Sequence, residues 1–218
     1  VDIDYYEGEI LRYFSNIVGK FAPMVQKAIN KLKDLEILII APTHGPIWRK
    51  SPNRIIELYD RWSRYEAEEG IIVAYGSMYG NTERMMEATV RGVTLEDFHE
   101  VRIHNVSNSH KSFILRDIWR YKGLILGSPT YDTGLFPPME SLVRLLTNKM
   151  IRGRYVGLFG SCGWSGGGVN ALNEFVKQAG LELIQPVVEA RFSARGEQVE
   201  QCLELGRNVA QAVSRKPS

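Results

Sequence analysis

Three short stretches hold the residue types from which a ligand site could be built. In "YGSMYGNTERMM", positions 75–86, Ser77 and Thr82 supply hydroxyls, Asn81 an amide, and Gly80 a backbone free to turn. Met78 and Tyr79 sit between them. The stretch lies between an apolar run and a segment with helical spacing, so it also offers the free N–H groups and positive dipole end of a helix start. Neutral donors of this kind can surround an anion without any cationic side chain. The G-x-G-x-x-G pattern of dinucleotide sites is absent, and so is the lysine of a P-loop. The expected anion is therefore a terminal monophosphate, the alternative being a Gly/Ser-rich turn that binds nothing.

The other two stretches add planar groups. "GSPTYDTGLFPPME", positions 127–140, presents Tyr131, which can lie flat against a ring, with Gly134 loosening the loop and Pro138 suited to a helix start. "GSCGWSGGGVN", positions 160–170, presents Trp164 and a glycine run that lets backbone approach a ligand closely. Two aromatic-bearing loops beside a phosphate loop suit a flat, phosphorylated heteroaromatic cofactor.

The elements that would bring these loops together follow from the apolar rhythm after residue 70. Strands are expected near 71–75, 100–104, 123–127, 155–159 and 182–188, and helices near 83–92, 113–120, 139–148, 169–179 and 197–213. Short apolar strands alternating with amphipathic helices predict an α/β fold, a parallel sheet covered on both faces. Five strands fit a doubly wound, flavodoxin-like order 2-1-3-4-5, in which ligands sit beyond the carboxyl ends of the strands. The three stretches are the loops after the first, third and fourth of those strands.

Residues 1–69 read differently. Ile10, Phe14, Ile17, Phe21, Val25, Ile29 and Leu32 mark one face of a long helix with a bend expected near Pro23. "LEILIIAP" is expected to be a short, fully apolar strand, Ser51 and Pro52 an N-cap and first-turn pair opening a helix through Trp62, and Gly70 that helix's stop. Two helices and a lone strand do not make a self-sufficient domain, so this part is expected to be the end of a larger fold, with a second domain over 70–218.

Composition narrows the class. Of 218 residues 44% are hydrophobic and 24% charged, and no apolar run reaches the roughly 20 residues of a membrane span. Two cysteines, Cys162 and Cys202, make no disulfide framework, and a reducing, cytoplasmic setting is expected. A net charge of +2, with no basic run interleaved with aromatics, argues against nucleic acid. Residues 71–218 carry 17 Lys/Arg and 14 Asp/Glu, the wrong sign for a small acidic electron shuttle. Cys202 falls on an apolar stripe with Val199, Val209 and Val213 and is expected in the core.

Taken in order, "SMYGNT", "GSPTYDTGLFPPM" and "GSCGWSGGG" resemble the three flavin-mononucleotide loops of the flavodoxin-like module in flavodiiron proteins. "YFSNIVGKFAPMVQKAINKL" and "IIAPTHGPIWR" resemble the tail of the metallo-β-lactamase-like domain that precedes that module in the family. The resemblance implies FMN as cofactor. It matches Ser77, Met78, Tyr79, Gly80, Asn81 and Thr82 to the phosphate loop; Ser128, Pro129, Thr130, Tyr131, Asp132 and Gly134 to one ring loop; and Ser161, Cys162, Gly163, Trp164, Gly166 and Gly167 to the other. His44 matches a ligand of one iron in the family's di-iron centre, whose H-x-E-x-D-H motif does not occur here. Cys162 stands where an aromatic is common in the family, which leaves stacking from that loop to Trp164.

The resemblance further implies an electron-transfer role in an oxidoreductase. The full-length protein would take electrons from a rubredoxin or an NAD(P)H-dependent reductase and reduce oxygen to water or nitric oxide to nitrous oxide, as a homodimer or tetramer. A freestanding NAD(P)H quinone or nitro reductase, and a module of this fold that binds no flavin, are the alternatives.

Overall fold

A computed structural model describes residues 3–215. Helices α1 (Ile3–Tyr13), α2 (Ala22–Leu32) and α3 (Pro52–Ser63) come first, followed by β1 (Glu68–Tyr75), α4 (Asn81–Thr94), β2 (Val101–Asn105), α5 (Lys111–Arg120), β3 (Tyr121–Tyr131), β4 (Gly134–Leu135), α6 (Pro137–Lys149), β5 (Tyr155–Cys162), α7 (Gly168–Ala179), β6 (Glu182–Leu183), β7 (Val188–Arg191) and α8 (Glu197–Ser214). The sheet order is β2-β1-β3-β5-β6, with β7 also on β5 and β4 paired to β3. This is the 2-1-3-4-5 order expected from the sequence, with β6 and β7 sharing the fifth position.

Alternation along the central strands builds the two cores. Ile72, Ala74, Leu124, Leu126, Val156 and Leu158 point to one face, where α5, α6 and α7 bring Ile114, Ile118, Leu142, Leu146, Leu172 and Val176. Ile71, Val73, Tyr75, Ile125 and Phe159 point to the other, where α4 and α8 bring Met85, Val93, Cys202, Leu205 and Val209. Both faces of β1, β3 and β5 are covered, which is why these strands read as nearly unbroken apolar runs. Edge strand β2, "VRIHN", is partly exposed and correspondingly polar.

The N-terminal helices join the first of these cores. Leu11, Phe14, Leu58 and Trp62 belong to the same buried cluster as Trp119. Trp119 donates its indole N–H to the Trp62 carbonyl at 3.0 Å, and Phe14 meets its ring edge-on at 5.7 Å. Where a bend near Pro23 is expected the helix is interrupted: a π-helical turn at Phe14–Val18 and a 3₁₀ turn at Gly19–Phe21 separate α1 from α2, and Pro23 stands in the first turn of α2.

Three local expectations are corrected. "LEILIIAP" forms no strand; its one ladder contact is a bridge between Ile40 and Trp48, and Leu35, Leu38 and Ile39 are exposed. An apolar run becomes a strand only where a neighbour takes up its N–H and C=O groups, and among the described residues that happens only at Ile40. Ser51 and Pro52 do take the N-cap and first-turn positions of α3, although the Ser51 side chain makes no capping bond; Ser51 sits at φ 50°, and its carbonyl accepts from Arg54 N–H at 3.0 Å. Gly70 does not stop α3, which ends at Ser63, but lies inside β1, where a Cβ would come within 2.0 Å of the Tyr121 ring. The 182–188 strand is broken into β6 and β7, and Pro186, with no N–H to give a ladder, falls in the break.

Candidate functional site

The carboxyl ends of β1, β3 and β5 bring the three loops to one edge of the sheet. The first leaves β1 at Tyr75 and enters α4 through Gly80, which has a φ of 81° in the left-handed region that glycine reaches without strain. No side chain caps α4: the Ser77 hydroxyl instead accepts from Gly80 N–H at 3.1 Å, closing the loop on itself. The first turn of α4 therefore keeps its N–H groups for a ligand, with the positive end of the helix dipole behind them.

Two hydrogen bonds lock the loops to each other. Thr82 Oγ1 lies 2.9 Å from Ser161 Oγ, both buried, joining the start of α4 to the end of β5. Thr130 Oγ1 accepts from Gly168 N–H at 3.0 Å, joining the end of β3 to the start of α7. Close approach then excludes a side chain at Gly167, where a Cβ would fall 2.0 Å from the Thr133 carbonyl oxygen.

Between these anchors lies a cavity of about 340 Å³ lined by Met78, Tyr79, Asn81, Thr82, Pro129, Thr130, Ser161, Cys162, Gly163 and Phe192. All three loops contribute, and no Lys or Arg is among the lining residues. Its donors are hydroxyls, an amide and an uncapped helix start, a set that fits a phosphate monoester. The volume is within the range of small-ligand sites, roughly 300–1,000 Å³.

Other predicted residues stand elsewhere. The buried hydroxyl of Ser128 is committed to protein, donating to the Pro129 carbonyl at 2.9 Å and accepting from Phe136 N–H at 3.3 Å. Tyr131 and Gly134 pair across a two-residue hairpin whose turn, Asp132 and Thr133, has positive φ at both positions, as such turns require. Gly166 packs against Glu189, where a Cβ would meet the carboxylate at 2.6 Å. Trp164, expected to stack on a ligand, is 91% exposed and does not line the cavity.

Phe192 was missed by sequence reasoning. It follows β7, and the rule that ligands lie beyond strand carboxyl ends would have reached it had the loop after the fifth strand been read with the other three. Cys162 lines the cavity as a thiol, not a thiolate: partial burial pushes its pKa up, Glu189 adds to the rise, and Arg191 opposes it. Cys202 lies in the core, with burial pushing its pKa to about 11.

His44 is remote from this site. It is exposed, 5.7 Å from the Tyr13 ring, and lines a separate cavity of about 710 Å³ between the N-terminal helices and the 40–48 loop. That cavity is the larger of the two, but it is walled mainly by apolar side chains such as Ile10, Val25, Ile29 and Trp48. Among the described residues no group of three or more His, Cys, Asp or Glu could hold a metal ion. None of their helices is long and apolar enough to cross a membrane.

A doubly wound parallel sheet in the order 2-1-3-4-5, with a phosphate-type loop after its first strand and a cavity at the switch point, defines the flavodoxin-like class of α/β proteins. The chain belongs to the flavodoxin family, whose profile, described as Flavodoxin, matches residues 73–206. That assignment implies FMN as the cofactor. Similarity to longer proteins extends over nearly the whole chain. It is 32% identical over 217 residues to a nitric oxide reductase of Moorella thermoacetica, an alignment covering 98% of this chain and 54% of that one. The fold matches rubredoxin oxygen:oxidoreductase of Desulfovibrio gigas with a TM-score of 0.92 at 24% identity, over 98% of this chain and 54% of the other. It also matches the flavodiiron protein of Giardia intestinalis with a TM-score of 0.91 at 22% identity, over 98% and 53%. The chain spans about half the length of these proteins.

Proposed function

We propose that this chain is the FMN-binding electron-transfer module of a flavodiiron-type oxidoreductase. The observation that carries the reading is the single cavity into which all three loops converge, with neutral phosphate donors and no cationic side chain in its lining. In this reading the N–H groups at the start of α4, with Ser77, Asn81 and Thr82, hold the terminal phosphate. Pro129, Thr130, Cys162 and Gly163 border the ring, while the hydrogen bonds Thr82–Ser161 and Thr130–Gly168 keep the loops from separating. FMN supplies one- and two-electron redox chemistry when bound, and the surrounding hydrogen bonds and packing set its potentials.

The wider assignment rests on the longer relatives. The segment before β1 is the end of a metallo-β-lactamase-like domain, and the chain from β1 onward is the flavodoxin-like domain. His44 is one ligand of the di-iron centre of the full-length protein. The whole protein, cytoplasmic and a homodimer or tetramer, takes electrons from a rubredoxin or an NAD(P)H-dependent reductase and reduces oxygen or nitric oxide. A freestanding quinone or nitro reductase is not favoured, because the similarity to the Moorella enzyme covers 98% of the chain, N-terminal helices included.

The test is the visible spectrum of the purified protein, with release and identification of its cofactor. A yellow protein releasing one FMN per chain is expected. A colourless protein that takes up no added FMN would falsify the reading.

A further inference from the structure

Phe192 combines three features that a loop-packing residue has no need to combine. Its backbone lies at φ 62°, in the left-handed region that is a real outlier for a bulky side chain. Its side chain is 59% exposed, so burial does not hold it there. It nevertheless lines the cavity on which the three loops converge. Strained backbone of this kind clusters at ligand-binding positions.

The neighbourhood holds the residue in place. Phe192 N–H donates to the Cys162 carbonyl at 2.7 Å, extending the β5–β7 ladder by one step beyond β7. Gly163 lies beside the ring: a Cβ there would be in ordinary contact with Phe192 Cε1, at 3.8 Å. Arg191 Nε reaches the Gly163 carbonyl at 3.4 Å, and its guanidinium carbon lies 5.6 Å from the Phe192 ring centroid. The strap is thus tied to the same loop that carries Trp164, which is 91% exposed and outside the cavity lining.

We propose that Phe192 is the aromatic wall that stacks against the flavin ring, a role that the loop sequence suggests for Trp164. The proposal rests on the reading of the cavity as an FMN site. An aromatic ring at this point gives the site affinity for a planar heterocycle regardless of phosphate, whereas the start of α4 discriminates for the phosphate. The positive φ turns the ring toward the cavity at the expense of local stability.

The experiment titrates FMN and riboflavin separately into flavin-free full chain, reading flavin fluorescence and its residual intensity at saturation. Phe192→Leu is expected to weaken both flavins by about tenfold and to raise the residual fluorescence, because stacking quenches it. The ratio of FMN to riboflavin affinity stays unchanged. Phe192→Tyr keeps both affinities within about twofold of the parent, and so does Trp164→Leu. Phe192→Gly relieves the backbone strain and is expected to raise the thermal midpoint by about 2–4 °C while weakening both flavins, an opposition that a purely structural residue would not give. Unchanged flavin affinity in Phe192→Leu, or a larger loss in Trp164→Leu, overturns the assignment of Phe192 alone. A parent protein that binds neither flavin overturns it together with the FMN reading.

Discussion

Thr82→Val is the sharpest probe of the phosphate site, because it keeps the shape of the side chain and removes one hydroxyl. Thr82 is 1% exposed, lies in the first turn of α4 and sits 2.9 Å from Ser161 Oγ. A hydrogen bond to a charged acceptor contributes about 1.5–3 kcal/mol. At 1.4 kcal/mol per decade, FMN affinity should fall about 10- to 150-fold. Riboflavin, which has no phosphate, should bind within about twofold of the parent. The substitution also leaves the Ser161 hydroxyl, 6% exposed, without its partner, at a cost of about 1–3 kcal/mol to the flavin-free protein. Adding Ser161→Ala should therefore recover part of the stability and none of the FMN affinity. Fluorescence titration of the two flavins and urea unfolding of the flavin-free protein supply the measurements. Parallel losses for FMN and riboflavin would show that Thr82 shapes the ring site instead, and unchanged FMN affinity would remove it from the phosphate site.

Three further outcomes are expected. Arg154 is 1% exposed and donates to five carbonyls, those of Tyr65, Ile118, Trp119, Arg152 and Gly153, while burial lowers its pKa to about 10. Arg154→Met strands those carbonyls and should cost more than about 4 kcal/mol in urea unfolding; a loss below about 1 kcal/mol would contradict the staple. Burial pushes the Asp117 carboxyl up, but hydrogen bonds from His104 at 2.8 Å and Arg116 at 2.7 Å outweigh it and hold its pKa below the usual 3.8. A folded pKa below the unfolded one gives stability that is fully present above about pH 4 and is lost as pH falls through the folded value. Asp117→Asn should lower stability at pH 7 and flatten the acid limb, whereas an unchanged slope between pH 2 and 5 would exclude this pair as its source. Finally, iodoacetamide should label Cys162, slowly, before Cys202, which is fully buried with a pKa of about 11; labelling of Cys202 in the native protein would place it outside the core.

Sequence alone determined the architecture after residue 70 and the three loops, because both follow from local chemistry. Apolar runs such as "IIVAY" and "GLILG" can be satisfied on both faces only in a covered parallel sheet, and glycines, hydroxyls and prolines mark where the chain must turn. That is enough to point at Asn81, Thr82 and Ser161, which line the cavity. Tertiary structure decided which loop residues face the cavity. Ser128 reads like Ser161, yet β3 continues into a hairpin that consumes its hydroxyl, while Ser161 meets Thr82 from a helix 79 residues away. Trp164 reads as the stacking aromatic and projects into solvent, while Phe192, on a strap after the fifth strand, lines the cavity. "LEILIIAP" makes the same point for a strand, since its apolar character is local but a ladder needs a partner. Periodicity encodes which face of an element is buried; which side chains meet across loops depends on pairings between residues far apart in the chain, and no local pattern carries that information.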